Sequence, residues 1–420
     1  MTFRTLRVMS QSVVIVGAGL AGLACARELV AAGREVTLLE RSDRAGGRVR
    51  TDELDGFRLD RGFQVLLEAY PEARAQLDYA ALQLHAFFPG SLVRFHGDFH
   101  LVADPYRATR EALAGFLSPI GSLFDKARVL ELRRRAGEGT LEELFARPET
   151  TTRAALRSLG FSDTMVKRFF EPFLGGIFLG RDLDTSSRML EFVFRMMAQG
   201  STSLPAGGMG ALSDQLASRL PAGVLRTGHE VRAVSRNSVT LADGRRVAAS
   251  AVIVATEGDV AARLLGGFPA PRARGCTTLY FDAPRSPVGG AKLVLNADGG
   301  CINSLCVPSD VAPGYAPAGR SLVGVTLLGI PPEEDAELER RVRYELAGWY
   351  DGPTVEAWRH LRTYRIPWAQ PDQTPPALEP VERPVKLDNG LFVAGDHRDT
   401  ASIHGALGSG RRAAHALLGR

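Results

Sequence analysis

The chain has 420 residues, 45% of them hydrophobic and 23% charged, with 45 Gly and only four Cys. That composition excludes a disordered chain, a collagen-type repeat and a disulfide-stapled secreted scaffold. The 51 basic and 47 acidic residues leave a net charge of +4, too small at this size to create a field for nucleic acid or a membrane surface.

The length predicts two cores rather than one. An uncharged run over residues 10–26 is too rich in Gly for a membrane span and reads instead as the start of a nucleotide-binding unit. No charged stretch followed by an apolar core and a cleavage site opens the chain. The expected location is therefore cytoplasmic, with peripheral membrane contact left open.

Val13-Val14-Ile15-Val16 reads as a buried parallel strand. Gly17-Ala18-Gly19-Leu20-Ala21-Gly22 follows, then a helix over residues 23–32 ended by Gly33. Residues 36–39 form a second strand, closed by Glu40. This strand–GxGxxG–helix–strand–acid order predicts a dinucleotide site. Gly17 permits the turn, Gly19 admits a pyrophosphate to the backbone, and Gly22 lets helix and strand pack closely. The helix N-terminus faces the phosphates, and Glu40 accepts from both ribose hydroxyls. An acid there disfavours a 2′-phosphate.

Arg44-Ala45-Gly46-Gly47-Arg48 supplies a second close approach of backbone and guanidinium to the cofactor. Helices are expected over residues 107–117 and 123–135, and Thr140 to Glu143 reads as a capping box. Residues 166–197 are rich in Phe and Met, which fits a helical core and also the wall of a pocket for a greasy substrate. Residues 230–234 and 238–241 alternate like strands, Asp243-Gly244 is a hairpin turn, and residues 252–256 form another buried strand. Further strands and a helix over residues 333–349 are expected before a Pro-rich connection at 367–384. Leu391 to Asp396 repeats the pattern of an apolar strand ending in Gly and an acid, here suited to a ribityl chain. Ser402-Ile403-His404-Gly405-Ala406 leads into a final helix over residues 407–418. Together these segments point to FAD, held non-covalently.

The order GxGxxG, Glu40, Gly46-Gly47-Arg48 and Ala394-Gly395-Asp396 resembles the flavin amine oxidase and phytoene desaturase superfamily. Gly62-Phe63-Gln64 through Ala69-Tyr70-Pro71, Leu204 to Met209, Ile366-Pro367 and Ala401 to Ala406 are similar to segments of its plant and cyanobacterial carotene desaturases. The resemblance runs from residue 13 to about 415. It implies an α/β chain in which a Rossmann-like FAD domain of the glutathione-reductase/amine-oxidase type is interleaved with an α+β substrate domain. The FAD domain takes residues 1–78, 201–272 and 385–420, and the substrate domain takes 79–200, mostly helical, and 273–384. The implied FAD contacts are Gly17, Gly19, Leu20, Ala21, Gly22, Glu40, Arg41, Gly46, Gly47, Arg48, Gly62, Phe63, Val231, Ala255, Gly395, Asp396, Ser402, Ile403 and Ala406.

Two departures carry information. Ser402 and Ile403 stand where amine oxidases have an aromatic residue of the amine-holding cage, and His404 replaces the desaturases' Glu. The implied activity is FAD-dependent dehydrogenation of an apolar, isoprenoid- or carotenoid-like CH–CH bond by hydride transfer to flavin N5. The alternatives are an amine oxidase, a non-redox polyene isomerase or flavin scaffold, and protoporphyrinogen-type ring oxidation. Gln64, His404 and Arg48 are the candidate flavin neighbours with a catalytic part, and Lys292 is a further candidate, as the one Lys in an apolar strand context. His96 and His100 do not have metal-site spacing outside a helix, and Cys301 and Cys306 are no redox pair, so no metal is expected. A single GxGxxG gives no site for a nicotinamide, so electrons should pass to O₂ or a quinone. No nucleic-acid partner is expected.

Overall fold

The computed structural model describes residues 12–110 and 118–420. Most of the helix expected at 107–117 lies outside those residues. Five parallel strands form one sheet in the order Leu225–Arg226, Val36–Leu39, Val13–Val16, Ala251–Val254 and Phe392–Val393. The run of Val and Ile at 13–16 is explained by burial on both faces. Val13 and Ile15 join the core beneath the helices Leu20–Ala31 and Ile403–Leu418, whereas Val14 and Val16 pack with Val231, Val239 and Leu241 of a three-stranded antiparallel layer. The two helices approach closely because Gly410 has no side chain. A Cβ there would lie 2.1 Å from the carbonyl oxygen of Ala21.

A second sheet has seven strands in the order Arg359–Pro371, Ala273–Ala283, Ser321–Leu328, Ser304–Cys306, Leu293–Asn296, Gly90–Phe95 and Asp98–Ala103. Side chains alternate across it. Leu279, Phe281, Val294, Leu305, Val323, Val325 and Leu327 pack under the helix Asp335–Tyr350 through Leu338, Val342 and Leu346. The opposite face looks toward the nucleotide sheet. Two strands at 90–103 interrupt the segment 79–200, whose described residues are otherwise mostly helical. They escape a periodicity search because Arg94, in mid-strand, is itself buried. It donates to the carbonyl of Gly348 at 2.7 Å and stacks on Phe99 and Trp349. His96 and His100 belong to this hairpin and not to a helix.

The Phe- and Met-rich stretch supplies the helices Glu171–Phe178 and Ser187–Gln199, with Phe170, Phe178, Phe192 and Met196 buried. The Thr140–Glu143 capping box forms as expected. Among the described residues no helix is long and apolar enough to cross a membrane.

Candidate functional site

A cavity of about 860 Å³ runs from the nucleotide sheet to the seven-stranded sheet. Every expected FAD contact lines it except Gly22. Gly22 lies one layer down: a Cβ on it would sit 1.9 Å from the carbonyl oxygen of Gly17, so its hydrogen is what allows the helix to start against the turn. Gly19 is the opposite case. A Cβ there would meet no atom within 4 Å and would project into the cavity itself. Gly19 bridges to Gly46, which brings the two Gly-bearing loops together at one end of the helix Leu20–Ala31.

The acidic groups are held in place by the chain. One Glu40 carboxylate oxygen accepts from the backbone N–H of Ala18 at 2.8 Å, and the other accepts from the N–H and hydroxyl of Ser42. A carboxylate offers about four acceptor positions, so about one remains for a ribose hydroxyl rather than the two expected. Asp396 is buried and accepts from Arg48 at 2.8 Å, while Arg48 also donates to the carbonyl of Ala369 at 2.8 Å and lies 3.9 Å from Glu257. Arg48 thus ties three distant segments together along the cavity wall, a positioning role. Gln64 spends both amide hydrogens on the carbonyls of Arg48 and Arg61, which leaves only its carbonyl oxygen for the cavity.

Two candidates point elsewhere. On the C-terminal helix Ser402, Ile403 and Ala406 line the cavity, and the 100° step per residue turns His404 away from it. His404 packs instead between Tyr70 and Phe192, with ring centroids at 5.9 and 5.5 Å, and its Nδ1 accepts from the N–H of Glu72. Lys292 precedes Leu293 and Leu295, which both face the cavity, so strand alternation sends it to the other side. Its Nζ donates to the carbonyl of Gly289 and sits over the ring of Phe88. Neither residue reaches the place where a flavin would react.

Burial holds the His404 imidazole neutral by pulling its pKa down to about 4, with the nearby Glu72 carboxylate opposing. A folded value below the unfolded ~6.5 means that this stabilisation is complete above pH 6.5 and is lost as pH falls through 4. A span of that size is worth about 3 kcal/mol. His404→Phe is expected to keep the aromatic stack and to flatten the acid limb of a stability-versus-pH curve by that order. Chemical denaturation at pH 7 and pH 4 checks it, and an equal acid loss in wild type and variant contradicts it.

Several cavity residues were not foreseen. Tyr70 and Trp368 lie inside or beside motifs already singled out, so their signal was present. Phe173 and Ile177 come from the Phe- and Met-rich stretch expected as a pocket wall, whereas Leu293, Leu295, Ser304 and Thr326 come from stretches without a motif. They build the end of the cavity beyond the cofactor segments. Among the described residues, the acidic side chains in the lining are Glu40, Glu230, Glu257 and Asp396, all on those cofactor segments. Arg61 and Arg365, which also line the cavity, are paired with Asp52 and Asp335. Among the described residues, the far end is therefore mostly apolar and carries no acidic side chain.

The residues present fit an FAD. The Gly19 cradle is open where a pyrophosphate would lie, and the acid and helix N-terminus stand beside it. Comparison with known proteins agrees. A family model described as flavin containing amine oxidoreductase matches residues 20–418. The phytoene dehydrogenase of Streptomyces griseus is 29% identical over 291 residues, 61% of this chain and 56% of that protein. A putrescine oxidase from Kocuria rosea is 37% identical over 113 residues, 27% of this chain and 22% of that protein. The chain thus spans about half the length of the first relative and less than a quarter of the second. Among solved structures, an oxidoreductase from Methanosarcina mazei superposes with a TM-score of 0.73 at 19% identity, covering 97% of this chain and 100% of that one, a likeness of fold.

Proposed function

The chain belongs to the flavin containing amine oxidoreductase family, and we propose that it is an FAD-dependent oxidoreductase that dehydrogenates a CH–CH bond of an apolar, isoprenoid-like molecule. The observation that carries this reading is the far end of the cavity. It is walled by Phe173, Ile177, Leu293 and Leu295 and, among the described residues, offers no acidic side chain to an ammonium group. Ser402 and Ile403 line it where an amine cage would need an aromatic ring.

The chemistry supplied by bound FAD is acceptance of a hydride at N5. The protein's part is to hold the C–H bond near that atom and to keep water out. Phe63, braced edge-on by Phe87 at 6.2 Å, and the stacked pair Phe169–Phe173 at 5.2 Å form rigid apolar walls for this purpose. No side chain at the far end is a strong base, which suits a hydride loss that leaves an allylic cation. Its proton can depart to a weak acceptor such as the Gln64 carbonyl oxygen. Electrons then leave to O₂ or a quinone.

Anaerobic mixing tests the reading. Isoprenoid polyenes are expected to bleach the flavin absorbance of the holoprotein, and simple amines are expected to leave it unchanged. Prompt bleaching by amines alone would move the assignment to C–N oxidation. Isomer conversion of a polyene without any bleaching would move it to a non-redox reaction.

A further inference from the structure

One row of the seven-stranded sheet crosses the floor of the cavity. Tyr364 pairs with Thr278, Thr278 with Thr326, Thr326 with Ser304, and Ser304 with Leu295. Residues directly opposite in such pairs share a face, and Tyr364, Thr326, Ser304 and Leu295 all line the cavity. Strands lie about 4.8 Å apart, so the hydroxyls of Thr278, Thr326 and Ser304 form a polar strip about 10 Å long.

None of these three hydroxyls has a partner among the described residues. The Thr278 Oγ1 is fully buried and unpaired. The Thr326 and Ser304 hydroxyls, in residues that are themselves buried, open on the cavity without a protein hydrogen bond. The Tyr364 hydroxyl is already committed to Asp52 at 2.8 Å. Buried hydroxyls are rarely left unpaired, because losing water without a replacement is costly. Val has the shape of Thr, favours strands equally, and would complete an apolar wall at no such cost. The Thr326 and Ser304 hydroxyls, open on an otherwise greasy floor, therefore call for a hydrogen-bonding occupant, with the Thr278 hydroxyl buried next to them in the row. No charged side chain belongs to the strip, so a neutral group fits and an ammonium or carboxylate does not.

We propose that the Thr326–Ser304 pair is a subsite for a neutral oxygen, the hydroxyl or carbonyl of an oxygenated isoprenoid-like substrate. It rests on the apolar CH–CH reading above and narrows it. Anchoring one oxygen on the sheet would fix how far the chain slides along the cavity, and so which C–H bond stands at the flavin. The strip is then a device for choosing the bond as well as the molecule.

The test uses the oxidised holoprotein and two probes of equal chain length, geranylgeraniol and the same chain ending in methyl. Binding is read from the perturbation of the flavin absorbance, and the ratio of the two affinities is compared between variants so that differences in solubility cancel. Thr326→Val is expected to lower the alcohol-to-hydrocarbon ratio about 10-fold, with Ser304→Ala acting in the same direction and Thr326→Ser restoring it. Hydrocarbon binding should not weaken, and thermal unfolding of the isosteric variant should match wild type. A ratio indifferent to both substitutions, or no binding of either probe, overturns the subsite; in that case ordered water is the occupant. The parent reading fails separately. If polyene hydrocarbons bleach the flavin while the ratio ignores Thr326, only the oxygen subsite falls. If amines bleach it and polyenes do not, the CH–CH assignment falls.

Discussion

Gly19→Val is expected to fold normally and to purify without flavin. Its backbone is extended, at φ −73° and ψ 179°, which any residue adopts, and no protein atom lies within 4 Å of the position of an added Cβ. The fold therefore loses little beyond a poorer N-cap, since Gly19 caps the helix Leu20–Ala31. The space that the side chain enters is the approach of the pyrophosphate to the helix N-terminus. A branched side chain there should reduce FAD affinity by at least about 100-fold, or ~3 kcal/mol. Flavin content after gel filtration and titration of FAD into flavin-stripped protein measure the loss. Stability must be compared with stripped wild type, because bound FAD itself stabilises the folded state. Gly22→Ala provides the contrast. Its Cβ would overlap the Gly17 carbonyl oxygen at 1.9 Å, so stripped protein should itself lose about 1–3 kcal/mol. Equal flavin content in Gly19→Val and wild type would remove the cavity's assignment as the cofactor site.

Arg48→Met should do more damage than its partial exposure suggests. The substitution deletes the cation facing buried Asp396 and frees the carbonyl of Ala369. Removing one partner of a buried pair leaves an uncompensated charge, and about 3 kcal/mol is the expected cost here. Adding Asp396→Asn to Arg48→Met should recover part of it, because the stranded charge is then gone. Urea unfolding of the two single variants and the double variant completes the cycle. Additive losses would show that Arg48 and Asp396 do not act as a pair.

The cofactor half of the cavity could be read from sequence because its demands are local. A turn needing no Cβ, a helix start and an acid closing a strand fall within thirty residues, so spacing alone carries the signal. The substrate half is written across strands. Leu295, Ser304, Thr326, Thr278 and Tyr364 become neighbours only when five strands pair in register, and each one taken singly is an ordinary strand residue. Adjacency in sequence misled in two places. His404 and Lys292 neighbour residues that do face the cavity, yet one helical step or one strand position sends each to the opposite side. The strands at 90–103 were hidden by Arg94, whose charge sits among aromatic rings and breaks the expected alternation.

The order of strands in the nucleotide sheet has a consequence for biosynthesis. Val13–Val16 leaves the ribosome early, but its neighbour Ala251–Val254 follows much later, and the next strand, Phe392–Val393, later still. At about 5–20 residues per second, tens of seconds separate the first strand from the last. During that interval the Gly-rich turn exists without Ala255, Asp396 or the helix Ile403–Leu418 that covers it. Flavin capture must then wait until the helix Ile403–Leu418 has been made, and a cell short of FAD would accumulate chains that already carry this helix and still wait for their cofactor.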